Sequence, residues 1–380
     1  MPHMILATRF PVELYRPIIS FIDKKKDLCT LCLSSRTWYG EATPFLYQDA
    51  FLSSTQGMMI WCNTTVEKPF LGELVQELSI LFRMCWRGDS YISVRISQML
   101  RHVPNLQRLT LDVEPQVDGD VVRSEVFSVF QACPLQIRHF DARMFLLVKA
   151  DVDSLVEFVK PRPNITNLSC RITRRISLHA LETILPNLAR LVAPSNLFLA
   201  LKPPRPIQCL KMYLGDRDHI EAELEGILVR LKAINETLTT LCLYRRFPRD
   251  VPLHKYICRL AKSVPKLQSL CIHDDSLRLC REPPHLEGIL SSFTDFTCLE
   301  NVAFNQYYPP PSSGRSQIPC GMSPTQFATR CMEKSPSLYT VMLPFWDNEK
   351  VAFVKTPSGD VIEMPSSETS YRGTCLFPKT

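Results

Sequence analysis

Along its 380 residues the chain repeats one short phrase, apolar-x-x-apolar-x-apolar. Pro104-Asn105-Leu106-x-x-Leu109-x-Leu111 and Pro265-Lys266-Leu267-x-x-Leu270-x-Ile272 are sharp copies, and Ile165/Leu168, Leu188/Leu191 and Leu338/Val341 keep the same proline two residues upstream. Looser copies centre on Leu78, Phe140, Leu210, Leu241 and Val302. Successive centres lie 19 to 39 residues apart, the range of stacked-repeat architectures. The alternation that ends each phrase predicts a strand with one buried face. Between the strands, Ile92/Ile96/Met99/Val103, Ile220/Leu224/Ile227/Leu231/Ile234 and Leu253/Ile257/Leu260/Val264 advance by threes and fours, which predicts helices, with a shorter version at Leu178/Leu181/Leu185. The proline after each such stretch stops the helix and favours an extended shape for the residue before it. One strand-helix unit cannot bury its own apolar face. Stacked units can, with a parallel sheet on one side, helices on the other and right-handed crossovers.

The Leu-x-x-Leu-x-Leu core of these phrases, between about residues 70 and 345, resembles the leucine-rich-repeat family in a degenerate form. The Asn or Cys that the family carries three residues after the last leucine is not kept. The resemblance implies an α/β fold over residues 71–349: a right-handed solenoid with the parallel sheet on its concave side and helices on its convex side. Residues 305–324, with three consecutive prolines, read as a loop inserted into the array. Residues 350–380 read as a hairpin of two strands around Pro357-Ser358-Gly359-Asp360, capping the last repeat, and a tail.

The first fifty residues follow another pattern. Three short helices are expected, opening at Pro11-Val12-Glu13-Leu14, with Asp27 a candidate cap for the second and Ser34 or Ser35 for the third. They hold more large apolar side chains than so short a segment can bury, which marks a surface needing a partner. The Pro11-x-Glu13-Leu14 opening, Ile18, Leu28, Leu31-x-Leu33-Ser34-Ser35-Arg36-x-Trp38 and Ala42-x-Pro44-x-Leu46-Tyr47 together resemble an F-box, in the form seen in fungal F-box-like proteins. The resemblance implies docking on the Skp adaptor, and through it on cullin and RING subunits, by Pro11, Leu14, Ile18, Leu28, Leu31 and Leu33, with Trp38 packed between the helices. Residues 51–70, poor in periodicity, read as a linker.

Composition narrows the function further. The net charge of +6 is mild and spread out, which argues against nucleic acid. Fifteen cysteines, most of them inside apolar phrases, read as free thiols of a reducing compartment, cytoplasmic or nuclear, and neither a signal-peptide pattern nor a membrane-spanning apolar run is seen. No glycine-rich phosphate loop, nucleophile elbow or His-Glu-x-x-His occurs, and Cys29-x-x-Cys32 has no second pair, so neither catalysis nor a cofactor or metal is expected.

If the leucines face the core, the residues between them face the concave side. That stripe includes Arg108, Arg143, Arg171, Arg190, Lys211, Tyr213, Tyr244 and His273, more basic at its start and more aromatic later. Arg and Tyr are common interface anchors, and the four arginines could also read a phosphate. The expected function is therefore recognition of a target protein for an SCF-type ubiquitin ligase, the F-box-like segment binding the adaptor. The alternative is a scaffold independent of any ligase, whose N-terminal helices only cap the repeats.

Overall fold

The computed structural model describes residues 11–82, 90–113, 129–131, 133, 135–146, 149–172, 184–202, 205–214, 220–245, 253–274, 283–305, 322–344 and 350–365. The chain forms two compact units, Met1–Ile165 and Thr166–Thr380.

The first unit opens with a 3-10 turn at Val12–Leu14 and three helices, α1 (Tyr15–Ile19), α2 (Lys25–Ser34) and α3 (Arg36–Gln48). Ser35 caps α3, its hydroxyl accepting the Trp38 amide at 3.2 Å. Asp27 lies in the first turn of α2 and does not cap it, because the helix already begins at Lys25. Tyr15, Ile19, Leu28 and Ala42 form the centre of this bundle, and Trp38 packs on it with its ring edge-on to Tyr15 at 4.4 Å.

The stretch 51–70 is not a linker. It holds the second half of the first strand, β1 (Asp49–Leu52), then α4 (Thr55–Glu67) and the start of α5 (Pro69–Glu73). Ser54 caps α4 by accepting the Gly57 amide at 3.1 Å, and Met58, Cys62 and Thr65 form its buried face. A small Cys and a self-bonded Thr on that face hide the helical period from a hydrophobicity reading. The unit continues with β2 (Glu77–Phe82), α6 (Ser90–Leu100), β3 (Arg108–Val113), β4 (His139–Leu146) and α7 (Lys149–Val159).

The second unit runs β5 (Asn167–Ile172), β6 (Arg190–Pro194), α8 (Ser195–Ala200), β7 (Cys209–Tyr213), α9 (Ile220–Ala233), β8 (Thr240–Arg245), α10 (Leu253–Ser263), β9 (Ser269–Asp274), α11 (Pro283–Ser292), β10 (Asn301–Asn305), α12 (Pro324–Lys334) and β11 (Thr340–Pro344). It closes with the antiparallel hairpin β12 (Lys350–Lys355) and β13 (Val361–Pro365), whose turn places Gly359 at φ +93°. Of the expected helix Leu178–Leu185, Leu178 and Leu181 lie outside the described residues, while Leu185 begins a turn. Most of the 305–324 insertion and the tail after residue 365 also lie outside them.

In both units strand order follows sequence order, and repeats pair in parallel with their anchors in register. Leu78 sits opposite Leu109 and Leu109 opposite Phe140 in the first unit. Leu191, Leu210, Leu241, Leu270, Val302 and Val341 align in the second. Each of these anchors is essentially inaccessible to solvent. Aromatic contacts tie this strand face to helices: Phe140 lies 4.7 Å from Phe158 of α7, and Phe304 6.0 Å from Phe327 of α12. This α/β fold, a parallel sheet with helices between its strands and a helical N-terminus, matches the expected class in those features.

The prolines have a more specific role than ending helices. In all five copies the residue before proline accepts a hydrogen bond from the amide three residues on, as in Val103–Leu106 and Val264–Leu267 (both 3.2 Å) and Ser335–Leu338 (2.9 Å). Proline therefore takes the second position of a β-turn, where its fixed φ is already correct, and the turn delivers the next leucine into the core.

Two arginines that the sequence gives no reason to bury are buried. In the first unit, Arg162 donates to the carbonyls of Phe130 (2.9 Å), Cys133 (2.8 Å) and Phe158, and its guanidinium lies 4.1 Å from the Phe158 ring centroid. In the second, Arg205 donates to the Ile184 carbonyl at 2.6 Å. Arg162 serves carbonyls at helix ends and in the turn at Cys133, and Arg205 the carbonyl of Ile184, none of which lies in a strand ladder.

Leu270→Ala is expected to cost about 3 kcal/mol through the cavity it opens, whereas Gln268→Ala, which keeps its bonded carbonyl, stays within about 0.5 kcal/mol. Arg162→Ala is expected to cost about 3 kcal/mol by stripping buried carbonyls of their donor. Urea denaturation midpoints check all three.

Candidate functional site

The side chains between the core anchors form a second face of the sheet. In the second unit, strict register turns them into rows. One row runs Val192, Lys211, Cys242, Cys271, Ala303 and Met342; the next runs Pro194, Tyr213, Tyr244, His273 and Asn305. Parallel strands lie about 4.8 Å apart, so flat side chains on consecutive rungs stack. Tyr213 and Tyr244 have ring centroids 4.8 Å apart, and Tyr244 and His273 stack at 3.9 Å with an interplanar angle of 11°. The Lys211 ammonium lies 4.8 Å from the Tyr244 centroid, a cation–π contact.

Beside this stack the row of small side chains is closed to solvent. Cys242, Cys271 and Ala303 are buried together, with Tyr244 and Met342 packed against them. Burial pushes the Cys242 thiol well up, reinforced by its hydrogen bond with Cys271, and burial likewise raises the Tyr244 phenol. One row further along, the Asn301 amide donates to the Ser269 hydroxyl at 3.2 Å, both residues buried. The result is a flat π-stacked surface with one flanking cation and a floor of small groups. It suits contact with apolar or planar side chains.

Four of the expected target-face residues, Lys211, Tyr213, Tyr244 and His273, are thus brought together. The arginines are not one cluster. Arg108, in the first unit, forms an ion pair with Glu77 at 3.1 Å, so its charge is already engaged. Arg190, in the second, is half-buried opposite Cys209. The side chains of Arg143 and Arg171 lie outside the described residues.

A separate candidate surface lies on the N-terminal helices. Leu33 is 89% exposed, and Leu14 and Ile18 are 45% and 40% exposed. Pro11 is exposed as well. Leu28 belongs elsewhere: at 4% exposure it is a centre of the bundle and has no surface to offer. Leu31 is half-buried against the same centre. An apolar surplus does not say which members face inward, and here α2 turns Leu28 in and Leu33 out. Phe21, 85% exposed just after α1, was missed because it follows the helical period rather than belonging to it.

Among the described residues no helix is long and apolar enough to cross a membrane. No family model matches the chain, and no curated protein matches it. Among solved structures, the leucine-rich repeat-containing protein LegL7 from Legionella pneumophila is similar over 80% of this chain and 82% of its own, at 14% identity and a TM-score of 0.38.

Thiol chemistry follows burial. Desolvation pushes the Cys62 thiol up to about 11 and raises Cys331 further, so both stay protonated and shielded at pH 8, whereas Cys29 and Cys298 are exposed. Iodoacetamide at pH 8 is expected to label Cys29 and Cys298 in the native chain and to reach Cys62 and Cys331 only after denaturation, as read by peptide mass spectrometry.

Proposed function

We propose that this chain recognises a target protein for an SCF-type ubiquitin ligase, its N-terminal helices docking on the Skp adaptor and its repeat sheet holding the target. The observation that carries the reading is the exposure of Leu33 and Phe21, 89% and 85%, on a three-helix bundle whose interior is already filled. We read these large apolar groups, left in water beside a filled core with Leu14 and Ile18 also exposed, as one docking surface. The order of F-box-like positions from Pro11 to Tyr47 supports the adaptor as the partner. The row Tyr213, Tyr244 and His273, with Lys211, supplies the target face. The contribution is proximity: a target lysine held near the ubiquitin-charged enzyme that the ligase recruits, with no bond made or broken by this chain.

One observation favours the scaffold alternative. Helix α3 runs directly into β1, and the Gln48 carbonyl at that junction accepts the Gln76 amide at 2.9 Å, so the helices also terminate the array. Capping and docking use different residues and are compatible.

The test is capture of purified Skp adaptor by the full chain. Wild type is expected to bind, and Leu33→Asp or Phe21→Asp to weaken binding by about tenfold or more while leaving circular dichroism unchanged, since neither side chain is in the core. Folded wild type that fails to bind would leave the scaffold.

A further inference from the structure

Two adjacent strands place three metal-type donors on one face. Cys242 of β8 pairs in register with Cys271 of β9, and His273 follows Cys271 by two residues, hence on the same face. The two thiol sulfurs and an imidazole nitrogen all lie within 4.8 Å of one another, and among the described residues this is the sole cluster of three or more such side chains. A tetrahedral ion with metal–sulfur bonds of about 2.3 Å and a metal–nitrogen bond of about 2.0 Å needs its donors roughly 3.5–3.8 Å apart. Small rotations of side chains already in contact reach that spacing.

We infer that Cys242, Cys271 and His273 form a binding site for Zn2+. Two thiolates and an imidazole are a soft donor set, which excludes Mg2+ and Ca2+ and fits d10 ions. Charge selects among these. Zn2+ with two thiolates and neutral imidazole carries no net charge, as a row where Cys242 and Cys271 are 0% and 1% exposed demands. Cu+ with the same donors would leave a buried negative charge, with Lys211 beside Tyr244 as the nearby cation. Binding converts two thiols to thiolates and releases two protons to solvent. Because binding displaces thiol protons, affinity rises with pH. Three protein donors leave a fourth position for water or a partner's side chain. The Tyr244 ring stacked on His273 fixes the imidazole plane, a supporting contact of the kind that orients metal-binding histidines. The site shares His273 with the proposed target face, but binding an ion there needs neither the N-terminal helices nor a target.

The test is a Co2+ titration of reduced, chelator-stripped full chain, followed by the thiolate-to-cobalt charge-transfer absorbance. Wild type is expected to take up one equivalent in a tight phase that Zn2+ displaces. Cys242→Ala and Cys271→Ala should lose that phase, His273→Gln should weaken it by about tenfold or more, and Cys29→Ala and Cys298→Ala should keep it. No tight phase in wild type, or an equal one in Cys242→Ala and Cys271→Ala, would overturn the assignment. X-ray absorption at the zinc edge of the wild-type chain needs no variant. A shell of two sulfurs with nitrogen or oxygen supports the site, and a shell of four sulfurs or of none contradicts it.

Discussion

One backbone interaction recurs from repeat to repeat and sets their geometry. Just before a strand a single carbonyl accepts two amides from the next repeat: Gln76 from Gln107 and Arg108 (2.8 and 3.0 Å), Gln208 from Thr239 and Thr240 (2.9 and 3.0 Å), and Gln268 from Glu300 and Asn301 (2.9 and 3.0 Å). Gln107, Thr166, Ala189, Thr239 and Glu300 do the same. This pair of hydrogen bonds fixes where the strand begins relative to its neighbour. A slip of one residue would send every leucine to the outer face and every Tyr and Arg into the core, so register and burial enforce one another.

Both candidate surfaces follow from that constraint. Because the rungs are in register, residues two positions apart on each strand become continuous rows, and Tyr213, Tyr244 and His273, far apart in sequence, become one stack. The same register brings Cys242 against Cys271. At the N-terminus the constraint acts through β1, which gives the three-helix bundle a fixed exit into the sheet while Tyr15, Trp38 and Leu28 fill its interior. The groups left over, Leu33 and Phe21, are free for another protein.

Much of this was legible in the sequence, for a physical reason. Full burial of one strand face forces a large apolar residue at each anchor, so Leu109, Leu210 and Leu270 announce their strands, and the hairpin at 350–365 shows through its turn residues. What was not legible depends on partners brought by folding. The unit β1–α4 read as a linker because its buried face uses Cys62 and Thr65. Nothing in the sequence marks Arg162 and Arg205 for burial, because only folding brings them the carbonyls they satisfy. Leu28 read as a docking residue because the F-box resemblance matches positions in sequence and does not orient the side chain, which here turns into the bundle. Alternation in the sequence puts Lys211, Tyr213, Tyr244 and His273 on one strand face, but their stacking and the convergence of two thiols on an imidazole need the register itself.

The most direct test of the account is hydrogen–deuterium exchange of the full chain with and without purified Skp adaptor. The account predicts slowed exchange confined to α1, α2 and the segment between them, residues 15–34, with the repeat sheet unchanged. Exchange that is unaltered there, or slowed only in the strands, would contradict it and leave the N-terminal helices as the end of the repeat array.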